Sequence, residues 1–184
     1  MPLILHVEPY EGFDSNNNMF VSIKETTLQL EHSLISLKKW EQKYHIPFLD
    51  DTIEKTPEQW LYYVECMNMT QNVDPNVFKY FSMSNLEKVT KYIEDPMTAT
   101  WFNDNGKKQP QSKKKEIITA EIIYYWMIEL NVPIQFEKWH LNQLLTLIRV
   151  INIKHDNTKM GKKEQAMQRS ALNAQRRAKM HSKG

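Results

Sequence analysis

Residues 116–153, EIITAEIIYYWMIELNVPIQFEKWHLNQLLTLIRVINI, constrain the fold of this chain more than any other stretch. The pattern predicts two helices joined by a short turn at Asn131-Val132-Pro133. In the first, Ile117, Ile118, Ile122, Ile123, Tyr124, Tyr125, Trp126, Met127, Ile128 and Leu130 point in nearly every direction around the axis. A helix that is apolar all round has to be buried in protein or lipid. In the second, Leu141, Leu144, Leu145 and Ile148 fall at i, i+3, i+4 and i+7, and Trp139, Leu147 and Ile151 widen the stripe beyond one face. Together the two helices carry more apolar surface than they can hide on each other, so the rest of the chain is expected to pack around them and a partner to use what remains.

The lipid alternative is weakened by Glu121 and Glu129, which interrupt the apolar run short of the roughly 20 residues needed to cross a bilayer. No membrane is expected among the partners. The opening MPLILHVEPYEG lacks the basic start of a secretory signal, and its apolar run stops at Glu8. With 184 residues the chain is long enough for one domain with a core and polar appendages. Cys66 is its only cysteine, which excludes a disulfide framework and a thiolate zinc site.

The remaining elements follow from period and punctuation. Residues 3–7 and 19–23 read as short strands forming a long-looped hairpin, with Gly12 and the run DSNNN at 14–18 between them. From Thr26 the alternation of Leu28, Leu30 and His32 suits a third strand, after which Leu34, Leu37 and Trp40 take helical spacing over 33–45. Thr56-Pro57-Glu58-Gln59 is a capping-box start for a helix over 57–69. A short helical turn is expected through Val77, Phe78 and Phe81, and a further helix over 84–94 that stops before Pro96. The fold class is therefore mainly α with a small N-terminal β-hairpin or sheet, an α+β arrangement. Its expected parts are residues 1–102, a flexible lysine-rich linker at 103–115, the apolar helical hairpin 116–153 and a basic tail 154–184.

The tail concentrates the charge. From Lys154 onward nine Lys/Arg stand against Asp156 and Glu164, a net of +7, which leaves −5 for residues 1–153. Residues 164–180 contain strong helix formers but only a thin apolar stripe, so a helix there would form fully only on a partner. Such an arm suits a polyanion or an acidic protein surface. Lys162, Lys163, Arg169, Arg176, Arg177 and Lys179 could neutralise phosphates, but the tail has no aromatic side chain to stack on bases.

Enzyme signatures are missing. There is no P-loop, GxGxxG, GxSxG or HExxH motif, and the chain has only four glycines. Glu137-x-x-His140 has the spacing used in di-metal helical bundles, but the second such pair and the facing glutamates are not evident. Cys66 follows Glu65 and has no basic neighbour in sequence that would make it a reactive thiolate. Neither an enzymatic activity nor a metal or cofactor is expected, and binding is. A client groove is expected along Ile122, Tyr125, Trp126, Leu141, Leu144, Leu145 and Ile148, with Arg169, Arg176 and Arg177 of the tail meeting an acidic stretch of a partner.

The run ITAEIIYYWMIELNVPIQFEKWHLNQLLTLIRV at 118–150, with TTLQLEHSLISLKKWEQKYHIPF at 26–48, MTATWF at 97–102 and ALNAQRRA at 171–178, resembles the tail assembly chaperones of long-tailed, siphovirus-like bacteriophages. The resemblance implies a non-enzymatic assembly factor that acts in the cytoplasm of the infected bacterium and is absent from the mature virion. It also implies two partners: the tape measure protein, which such chaperones keep soluble, and the tail tube protein, which they help to recruit. It supplies no residue-level binding map. Two other readings stay open: a nucleic-acid-binding phage protein acting through the basic tail, and a minor structural tail or connector component. Homo-oligomerisation also stays open.

Overall fold

The structure, a computed structural model, describes residues 1–15, 18–100, 102 and 117–159, together with Ser170, Asn173 and Ala174. The linker 103–115 and the tail residues Arg169, Arg176 and Arg177 lie outside the described residues. The fold is α+β: four strands at the N-terminus followed, among the described residues, by six α-helices and one 3-10 helix.

The strands are β1 (Leu3–Val7), β2 (Tyr10–Asp14), β3 (Met19–Ile23) and β4 (Thr26–Leu30). β1 pairs with β4 and β2 with β3, both antiparallel. This corrects the expected hairpin of 3–7 with 19–23: alternation marks strands but does not choose their partners. Both ladders keep one register, with Leu3 opposite Leu30, Tyr10 opposite Ile23 and Asp14 opposite Met19. They therefore form one long ribbon interrupted at Glu8-Pro9 and Lys24-Glu25, where Pro9 has no N–H to give the ladder. The interruption also changes which face is covered. Near the base, Leu5, Val7, Leu28 and Leu30 are buried; beyond Pro9, Ile23 on the opposite parity is buried instead.

Helix α1 (Leu34–Tyr44) starts with a capping box in which Ser33 and Ser36 serve each other's backbone N–H. It ends at His45, which is left-handed at φ 55° and whose N–H returns to the Glu41 carbonyl. Leu34, Leu37 and Trp40 are fully enclosed, at i, i+3 and i+6. α1 packs on α2 (Pro57–Met67), on α5 (Ala120–Glu129) and on the 3-10 helix Ile134–Lys138. The centre of the core is thus α1 and not the stretch 116–153. The Trp40 indole donates to the Gln59 carbonyl at 2.8 Å, and Phe48 stacks on Tyr63 with centroids 3.9 Å apart.

α2 opens with the capping box expected at Thr56 and Gln59. Its exit strand side continues the ribbon base, since Glu31 N–H donates to the Met67 carbonyl and Met69 N–H to the Gln29 carbonyl. The short α3 (Asn76–Lys79) and α4 (Met83–Glu94, capped by Ser82) follow, and α4 lies against β1. Residues 97–100 of the strand-like MTATWF run are irregular.

The apolar stretch itself differs from a simple hairpin. α5 ends at Glu129, the 3-10 helix occupies 134–138, and α6 begins only at Leu141 and runs to Lys159, six residues past the expected Ile153 end. Trp139 consequently lies outside both helices, stacked on Phe136 at 3.9 Å. The chain divides into two compact units, Met1–Thr146 and Leu147–Gly184. Residues 117–146 belong to the first unit together with the whole N-terminal region; in the second, residues 147–159 are helical. No helix among the described residues is long and apolar enough to cross a membrane.

Candidate partner-binding surface

α5 is held at both ends by groups that leave its outward face free. Thr119, the residue before it, makes no side-chain cap. Its place is taken from α1: the Glu41 carboxylate accepts the Ala120 N–H at 2.8 Å with one oxygen and the Phe48 N–H at 2.9 Å with the other. A negative charge at a helix N-terminus is stabilising, and this one is nearly enclosed. Burial, the largest influence, nevertheless raises the Glu41 pKa; the two amides lower it and Glu121 raises it further. At the other end the Asn131 and Val132 N–H groups return to the Ile128 and Met127 carbonyls, with Asn131 left-handed at φ 53°. This is a Schellman turn with Asn in the position usually taken by Gly, and Pro133 then prevents continuation.

Between these ends α5 has an inner and an outer side. Ala120, Ile123 and Met127 are enclosed. Burying Ile123 and Met127 contributes about 1.5–3 kcal/mol each. The outer side carries Tyr125, 60 % exposed, and Ile128, 75 % exposed, with Ile117 before the helix and Ile134 after it also more than half exposed. Glu121 and Glu129 flank this strip. The Tyr124 hydroxyl donates to Glu137 at 2.7 Å and so ties the 3-10 helix to α5.

The sequence-predicted groove residues therefore separate. Tyr125 is exposed, Ile122, Trp126 and Leu145 are half-buried, and Leu141, Leu144 and Ile148 are buried. Leu141 and Leu144 are corrected from groove lining to interior residues of the first unit, and Ile148, in the second, is buried too. Ile128, Ile117 and Ile134, absent from the predicted set, are the exposed apolar side chains in and beside α5 together with Tyr125. Apolarity on every side of α5 was the available signal, but it could not say which side α1 would cover. Of the tryptophans, Trp40 is enclosed whereas Trp60 is 41 % exposed.

A second open apolar patch lies at the ribbon tip. Phe13 and Phe20, directly paired across β2 and β3, meet edge to face at 5.1 Å, and Phe20 is 84 % exposed. On the other face Tyr10 folds over Gly12 and stacks on Tyr80 at 4.7 Å.

The polar groups inside the molecule are structural in arrangement. His32 Nδ1 meets the Tyr63 hydroxyl at 2.6 Å, and the Tyr92 hydroxyl donates to Glu31 at 2.6 Å. Burial pushes His32 down to about 3 and raises Tyr63 and Tyr92. Among the described residues no buried side-chain polar atom lacks a partner, and no group of three His, Cys, Asp or Glu is placed to hold a metal. Glu137 and His140 turn to different partners, Tyr124 and the Tyr92 carbonyl. Cys66 is buried and its thiol is pushed up to about 11, mainly by burial. No protein-family model, curated protein or solved structure matches this chain.

Proposed function

We propose that this chain is a tail assembly chaperone of a long-tailed bacteriophage, which binds the tape measure protein, keeps it soluble and helps to recruit tail tube subunits around it in the cytoplasm of the infected cell. The observation that carries this reading is the open strip of α5: Tyr125 and Ile128, continued by Ile117 and Ile134, are left uncovered on a helix whose inner side is already satisfied by α1. A long helical client lays an apolar stripe on such a face, with alternate turns meeting alternate residues of the strip. The half-buried Ile122 and Trp126 lie at the edge of this contact; Leu141 and Leu144 are buried. The basic tail with Arg169, Arg176 and Arg177 serves as a second, charge-driven contact.

Co-expression tests the reading. The tape measure protein is expected to remain soluble and to co-purify with this chain. Y125D and I128D, both at exposed positions, are expected to fold normally and to weaken the complex at least about tenfold each. Equal aggregation of the tape measure with and without this chain would overturn the proposal, as would undiminished binding by both variants.

A further inference from the structure

His140 stands immediately before α6, in the position whose side chain caps a helix. Its ring acts as the cap: Nδ1 lies 3.3 Å from the Asn142 backbone nitrogen and accepts its N–H. Nε2 lies 3.0 Å from the Tyr92 carbonyl oxygen, which can only accept, so Nε2 carries the proton. The two contacts together admit one state of the ring, neutral with the hydrogen on Nε2. An imidazolium would turn an N–H toward the Asn142 N–H and add positive charge to the positive end of a helix.

The first turn of α6 hangs on the same junction. Leu141 N–H donates to the His32 carbonyl at 2.7 Å, and the Asn142 side chain donates to the Ile93 and Asp95 carbonyls at the end of α4. We propose that His140 is a protonation-sensitive latch: on acidification its ring loses the cap on Asn142, and the first turn of α6 is released from the end of α4 while α1 keeps its structure.

The groups around the ring set where the latch acts. From the junction of β4 and α1, His32 meets it edge to face at 5.0 Å, with Tyr63 of α2 behind, and Glu31 is nearby. From α4 come Tyr92, at 4.9 Å, and Asp95; the N-terminal amine of Met1 is also close enough to act on it. Burial, the largest influence, lowers the His140 pKa; the Tyr92 carbonyl, Glu31 and Asp95 raise it, and the Met1 amine lowers it. The net direction is downward, so the ring is neutral and the latch holds at neutral pH, and the hold weakens as pH falls below the ordinary histidine value of 6.5.

Amide hydrogen exchange on the full chain, corrected for intrinsic rates, tests this. Between about pH 7 and about pH 5, protection at Leu141 and Asn142 is expected to fall at least about tenfold while amides of Leu37–Trp40 hold. H140N, which keeps a capping acceptor but does not titrate, is expected to lose that pH dependence. The proposal is overturned by no loss in the wild type, by the same loss in H140N, or by simultaneous loss in α1. Where H140N does not fold, the imidazole nitrogen spectrum of the wild type decides: an Nε2–H ring that titrates below the ordinary histidine value while protection falls upholds the latch, and any other tautomer, or titration at or above the ordinary value, overturns it.

Discussion

Replacing Glu41 isolates the contact that fastens α5 to α1. Its two carboxylate oxygens take the Ala120 and Phe48 amides at 2.8 and 2.9 Å, from segments 79 and 7 residues away. E41A leaves two buried N–H groups without an acceptor, at a cost of about 1–3 kcal/mol each. Part of this is returned, because the raised folded pKa shows that burying the ionised carboxyl is itself unfavourable. The expected net loss is about 2–4 kcal/mol, which moves a urea midpoint by about 1–2 M. E41Q keeps one acceptor but turns an NH2 toward the other amide, so it should fall between the wild type and E41A. Because the folded pKa lies above the unfolded one, protonation adds a pH-dependent part to the Glu41 contribution that is fully present below the unfolded value and is lost as pH rises through the folded value, leaving the carboxylate cap itself. Hydrogen exchange supplies the local readout, with Ala120 and Phe48 exchanging faster in E41A. A midpoint unchanged in E41A, or normal protection at both amides, would refute the idea that a carboxylate from α1 caps α5.

Two further outcomes are expected. His32 titrates near 3 in the fold against 6.5 unfolded, so its stabilising contribution is complete above about 6.5 and declines as pH falls toward about 3, by about 5 kcal/mol in all; urea denaturation at stepped pH should show a slope approaching about 1.4 kcal/mol per unit, and a flat profile from about pH 6 to about pH 4 would contradict it. A Cβ added at Gly12 would lie 2.6 Å from Cζ of Tyr10, so G12A should push that ring off Tyr80 and cost about 0.5–1.5 kcal/mol; ring-current shifts of Tyr80 that do not change would show the stack does not depend on the glycine.

The helices were legible where their signals are local. Thr56, Pro57 and Gln59 stand within one turn of each other, so the start of α2 could be read from the letters alone. The same is true of the apolar stripe Leu34, Leu37 and Trp40, and of the stop at Asn131-Val132-Pro133, where a left-handed residue, a returning N–H and a proline follow in order. The strand partners were not legible, because alternation has a period of two whichever strand lies opposite; the ribbon pairs Leu3 with Leu30 and Tyr10 with Ile23 only once distant strands have met. Glu41 was equally hidden: in sequence it is one charged residue on a helix, and only the approach of Ala120 makes it a cap.

For the α5 surface, composition alone required that the helix be covered, since Ile, Tyr, Trp and Met occupy all its sides. Which side is covered was decided by tertiary packing. α5 packs on α1 with Ala120, Ile123 and Met127 enclosed, Leu141 and Leu144 of α6 are buried, and Tyr125 and Ile128 remain outside. The physical reason is that burial stabilises any apolar face by about the same amount per unit area, so a helix apolar all round carries no preference of its own. Direction comes instead from contacts made once and at long range, the Glu41 bridge to Ala120 and the His140 junction with Tyr92, and these exist only when distant parts of the chain have met.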